Sequence, residues 1–131
     1  MVMHDAIKLF ARNALGCGCE EEVFRKISTE DNIRIKGDIL LRKRINIGNR
    51  LLVYITEPIP DGNLSKTLSA VVKYGKSERN TAGFNRLRVV IPDSLQIYTV
   101  EDAENVMKAC IGSDDKMHVH IIGQSDLDQV L

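Results

Sequence analysis

Two short stretches place chemically capable side chains close together. The first is Gly16-Cys17-Gly18-Cys19-Glu20-Glu21-Glu22, with two thiols one residue apart. A thiolate attacks electrophiles and ligates metals, and a helix N-terminus lowers a thiol's pKa. Cys19 falls where a second helix is expected to begin, but the glutamates that follow oppose ionisation there. At this spacing the pair can chelate one soft metal or close a small, strained disulfide. The competing reading is structural: small residues let two helices approach, and cysteine serves as an apolar filler. The second stretch is Met117-His118-Val119-His120. Residues two apart on a strand share a face, so both imidazoles point the same way. Together Cys17, Cys19, His118 and His120 make a candidate four-ligand set for zinc or another soft metal. Neither spacing matches an established zinc signature. The plain alternative is two partly exposed histidines near a sheet edge. His4 reads as an isolated surface residue. Cys110 is in helical register with Ala103, Val106 and Met107, so it reads as packing.

A third stretch, Gly75 to Arg86, is rich in groups that hold anions, and Lys76, Arg79 and Arg86 can grip phosphate or carboxylate. It lacks the glycine–lysine spacing of a phosphate-binding P-loop. As a loop entering a strand it also lies at the wrong end of an open α/β sheet, where ligands sit beyond the strands' carboxyl ends. A solvated connector over 76–85 is therefore expected. The loops at the carboxyl ends are 57–63, 92–99 and 123–126, and they offer Glu57, Asp61, Asn63, Asp93 and Ser94 without a recognisable motif. Arg42-Lys43-Arg44 and Arg50 put positive charge on a hairpin. That suits an acidic protein partner or the Glu20–Glu22 helix of the same chain, and it also guards an edge strand against pairing with another copy.

The elements that must position these groups follow from periodicity. Met3, Ile7, Phe10 and Ala14 form one stripe and predict a helix over 3–15, stopped at Gly16. Glu20 to Glu22 favour the start of a second helix over 20–28. Residues 29–37 are polar, with Ile33 and Ile35 able to begin a strand. Gly48-Asn49 between Ile39–Ile47 and Arg50–Thr56 predicts a hairpin. Leu51 to Ile55 is apolar at every position, as an interior strand would be. Asn63 is placed to cap a helix over 64–75, and Leu87–Ile91 is a strand stopped by Pro92. Thr99 and Asp102 have the spacing of a capping box and open a helix that ends at Gly112. Met117–Ile122 is a last strand, and a short helix over 125–131 closes the chain. The alternation after residue 50 predicts an α/β fold: a mixed, mainly parallel sheet of about four strands, helices on both faces, two helices preceding it and one domain over 1–131.

Bulk properties narrow the function classes. The chain has 131 residues, 44% hydrophobic and 27% charged, enough to bury a core without disulfides. Its 18 basic and 18 acidic residues cancel, which argues against nucleic acid or anionic membrane as partner. It has no tryptophan, so an aromatic platform for single strands is not expected. Three cysteines do not make a secreted disulfide framework, and no apolar run reaches membrane-span length. A cytoplasmic protein with reduced thiols is expected. Leu15-Gly16-Cys17-Gly18-Cys19-Glu20-Glu21-Glu22-Val23-Phe24, with Gly83-Phe84-Asn85-Arg86-Leu87-Arg88, resembles small prokaryotic proteins with an N-terminal C-x-C motif. That resemblance carries no assigned function and implies no activity. The leading expectation is thiol redox or soft-metal handling through Cys17 and Cys19. The alternatives are a non-enzymatic binding or accessory protein with structural cysteines, and a small-molecule binder using the anion-friendly stretch.

Overall fold

The fold is built on the hairpin at Gly48-Asn49. Both residues have positive φ, 63° and 57°, the backbone that lets a tight turn follow the natural twist of paired strands. The Asn46 side chain locks the turn, accepting from the Asn49 N–H at 2.9 Å and donating to its side-chain oxygen at 2.8 Å. Gly48 is also a tie point. A Cβ there would fall 2.5 Å from the Val23 carbonyl oxygen, and its own N–H donates to the Lys26 carbonyl at 2.6 Å.

A computed structural model describes residues 2–16, 21–36, 39–60, 62–84, 86–93, 98–112 and 116–131. Helix α1 (Val2–Leu9) runs on as a π-helical turn over Phe10–Ala14, and a 3-10 turn spans Glu21–Arg25. Strands β1 (Ile27–Lys36), β2 (Ile39–Ile47) and β3 (Leu51–Thr56) follow. Then come α2 (Leu64–Ala82), β4 (Arg86–Pro92), α3 (Val100–Ile111), β5 (Met117–Ile122) and α4 (Gln124–Leu127). The five strands lie in one sheet in chain order. β1, β2 and β3 are antiparallel neighbours, while β3, β4 and β5 run parallel through the α2 and α3 crossovers.

This corrects the expected fold class. The sheet has five strands rather than about four and is not mainly parallel, because residues 27–36 form a full antiparallel strand. The expected second helix over 20–28 is only the 3-10 turn, and β1 begins at Ile27. β1 escapes the hydrophobic pattern because it is an edge: most of its side chains face water, while Ile33 and Ile35 pack on one layer and Ile27 on the other. A mid-strand Asn32 with φ 54° adds an irregular backbone that no propensity scale signals. The solvated connector over 76–85 is corrected too, since residues 76–82 are the last two turns of α2. The helix ends instead at Gly83, whose φ of 76° gives the left-handed cap, with Phe84 buried just beyond it.

Two apolar layers sandwich the sheet. On one face α2 and α3 bury Leu68, Val71 and Met107 against Leu41, Leu52, Tyr54, Leu87 and Val89. Gly75 makes this contact close, because a Cβ there would lie 2.3 Å from Leu87 Cδ2. On the other face α1, the π turn and the C-terminal segment bury Ile7, Phe10, Leu127 and Val130 against Ile45, Val53, Ile55 and Val90. β3 is buried at all six positions. The capping box at Thr99 and Asp102 forms as the spacing predicts, with bonds of 3.1 and 3.0 Å.

A charged group fastens α2 to the sheet. Arg44 Nε donates to both Glu78 carboxylate oxygens at 3.0 Å, a second Arg44 nitrogen joins them, and the Tyr54 hydroxyl donates to the same carboxylate. The guanidinium also lies 5.9 Å from the centre of the Phe84 ring. Burial pulls the Glu78 pKa upward, but the bonds from Arg44 and Tyr54 outweigh it and hold the carboxyl below its usual range. Burial first, then Glu78, raises the Tyr54 phenol. Arg44→Met is expected to destabilise the fold by about 1 to 3 kcal/mol, because it strips a partly buried carboxylate of its cation. Urea denaturation measures this, and an unchanged midpoint would show that the group does not anchor α2.

Candidate anion-binding site

β4 reads Arg86-Leu87-Arg88-Val89-Val90-Ile91-Pro92, with a charged residue inside a buried run. Leu87, Val89 and Ile91 point to the α2 and α3 layer, so Arg88 must project from the opposite face. In parallel register Arg88 sits beside His118 of β5, and Val90 beside His120. Met117 and Val119 join the α2 and α3 layer, which leaves both imidazoles on the Arg88 face, as the two-residue spacing predicts. Arg88 reaches diagonally, placing a terminal guanidinium nitrogen 3.2 Å from His120 Nε2.

Arg88 is partly buried, and its Nε is fully enclosed with no hydrogen-bond partner among the described residues. Among the described residues no carboxylate pairs with it. Burial, then the charge of Arg86, push the Arg88 pKa below its ordinary value. His120 is lowered to about 4 by burial, then Arg88, then His118, and so is neutral at physiological pH. A neutral Nε2 facing an arginine N–H acts as acceptor, which puts the ring proton on Nδ1. The result, among the described residues, is a positive charge with no counter-charge beside a neutral imidazole. Guanidinium nitrogens bind planar oxyanions well, and an imidazole can add a donor once protonated.

The other predicted site residues divide. Cys17 and Cys19 lie outside the described residues, as do Asp61 and Ser94. Among the described residues there is no group of three or more His, Cys, Asp and Glu able to hold a metal. The guanidinium beside His120 would repel a zinc ion there. Lys76 and Arg79 stand on the last turns of α2 rather than on a loop, whereas Arg86 opens β4 two residues from Arg88 and on the same face. Of the predicted anion-gripping residues, Arg86 is the one whose charge is felt at Arg88. Cys110 is partly buried against the α2 and α3 layer, and burial raises its thiol pKa, with Lys76 opposing. Glu57 and Asn63 line a separate cleft at the end of β3. Sequence reasoning missed Arg88, although an arginine interrupting Leu87 to Ile91 was a usable signal.

No family model, curated protein or solved structure matches this chain. Among the described residues no helix is long and apolar enough to cross a membrane. The functional reading therefore rests on the chemistry of the site.

His120 also gives a pH dependence. Its native pKa of about 4 lies below the unfolded value near 6.5, so the unfolded chain binds more protons between those limits. Stability from this residue is complete above pH 6.5 and is lost as pH falls toward 4. His120→Gln should leave stability near pH 7.5 close to wild type and progressively reduce the acid loss below 6.5. Denaturant titrations of both proteins across this range are the check; parallel curves would show that the imidazole titrates normally.

Proposed function

We propose that this chain is a binding protein for a small oxyanion, held beside β4 and β5 by Arg88 with His120 next to it and Arg86 nearby. The supporting observation is the partly buried Arg88 guanidinium that meets no carboxylate among the described residues. Buried charges in proteins are paired as a rule, because desolvation of an isolated charge is costly. An arginine kept in that situation favours a counter-charge beyond those the described residues supply. Phosphate, sulfate and carboxylate groups have the oxygen geometry that a guanidinium edge matches. The balanced net charge disfavours a polyanion, which would need a broad basic surface.

Titration with inorganic phosphate at low ionic strength tests this reading, with the His120 imidazole resonances and calorimetry as readouts. Phosphate should bind saturably and shift the His120 signals. Arg88→Met should abolish binding while leaving stability unchanged or improved, since it removes an uncompensated charge. Saturable binding of equal strength in Arg88→Met, or no response of His120 to phosphate or sulfate, would reject the proposal.

A further inference from the structure

The sheet changes sense at β3, and a cleft opens where it does. β2 begins at Ile39 beside the carboxyl end of β3, while α2 starts across the loop that follows Thr56. Between them lies a cavity of about 240 Å³, lined by Ile39, Thr56, Glu57, Ile59, Lys66 and Thr67 among others. Carboxyl ends of parallel strands are where open α/β sheets hold ligands, because the chain parts there. The walls are fixed. Ile59 is buried between Pro58 and Pro60, the Tyr98 hydroxyl donates to the Pro60 carbonyl, and the buried Thr56 hydroxyl donates to the Glu57 carbonyl at 2.9 Å.

Two opposite charges line this cleft without meeting each other. Among the described residues neither Glu57 nor Lys66 has an ion pair, although they share the cavity. Ile39, Pro58 and Ile59 give it an apolar wall. The volume lies below the roughly 300 to 1,000 Å³ of pockets for drug-sized ligands, so a nucleotide is too large. We propose that the cleft binds a free α-amino acid with an aliphatic side chain. Its ammonium would meet Glu57, its carboxylate Lys66 and Thr67, and its side chain the isoleucine and proline wall. This site lies on the α2 side of the sheet, apart from Arg88, and stands independently of the oxyanion reading.

The test uses L-leucine as probe against the whole chain, followed by calorimetry and thermal shift. Isocaproate, which lacks the ammonium, and isoamylamine, which lacks the carboxylate, are the comparison ligands. L-leucine should bind saturably, with each analogue at least about tenfold weaker, a loss of about 1.4 kcal/mol. Glu57→Gln and Lys66→Met should each weaken leucine by a similar factor. Both positions are exposed, so the variants are expected to fold. Arg88→Met should leave leucine binding intact, which separates this proposal from the oxyanion reading. No saturable leucine binding, analogues that bind as well as leucine, or variants that bind it unchanged would each overturn the proposal.

Discussion

Burial of β3 on both faces is the constraint from which the other elements follow. Leu52 and Tyr54 face one layer, and Leu51, Val53 and Ile55 face the other. A six-residue strand with no solvent-facing side needs neighbours on both edges and cover on both faces. The hairpin supplies β2 on one edge, and the α2 crossover supplies β4 on the other. Cover then divides by position in the chain. The segments before β1 and after β5 fill one face, and the two crossover helices fill the other.

That division explains the placement of charge. α2 must lie close to β3, and Gly75 permits it by leaving room for Leu87 and Tyr54. Close approach brings the polar end of α2 over the sheet, where Glu78 needs a cation and finds Arg44. A bulge near Arg42 shifts β2 so that Arg44 pairs with Tyr54 and shares its face, while Lys43 turns to the opposite face and reaches Asp31 at 3.0 Å. The shift puts Leu41 on the Arg44 face, with the α2 and α3 layer, while Ile45 and Ile47 face the other layer with Lys43. The charges that read in sequence as partner-facing or edge-guarding are therefore partly structural, and one of them is the clamp on α2.

What was legible in the sequence follows the same physics. The Gly48-Asn49 turn, the apolar β3, the capping box at Thr99 and the shared face of His118 and His120 are local signals, and each needs only nearby residues. β1 was hidden because an edge strand facing water has no apolar alternation to display. The end of α2 was hidden because its inward residue, Glu78, is polar and acquires meaning only from Arg44, 34 residues away. The thiol pair drew attention through its spacing, but Cys17 and Cys19 lie outside the described residues. Arg88 was overlooked for the opposite reason. One arginine among apolar residues reads as noise until the register places His120 against it.

Arg44 and Arg88 occupy opposite faces of the same sheet and differ in what they meet. Both are partly buried and both project from strands into a packed protein. Arg44 meets a carboxylate twice over and has a pKa raised by that bond, against the opposing pull of burial. Arg88 meets a neutral imidazole and has its pKa lowered by burial and by a second arginine. The chain carries 18 acidic residues, so the want of a partner for Arg88 among the described residues is not a shortage of carboxylates. It is a matter of position: an acidic side chain on the neighbouring strand would neutralise the guanidinium permanently and close the site. Histidine there keeps the charge unspent, since the ring offers an acceptor without adding negative charge. On the oxyanion proposal an incoming anion would gain the whole interaction, and by favouring the imidazolium it would turn that acceptor into a further donor.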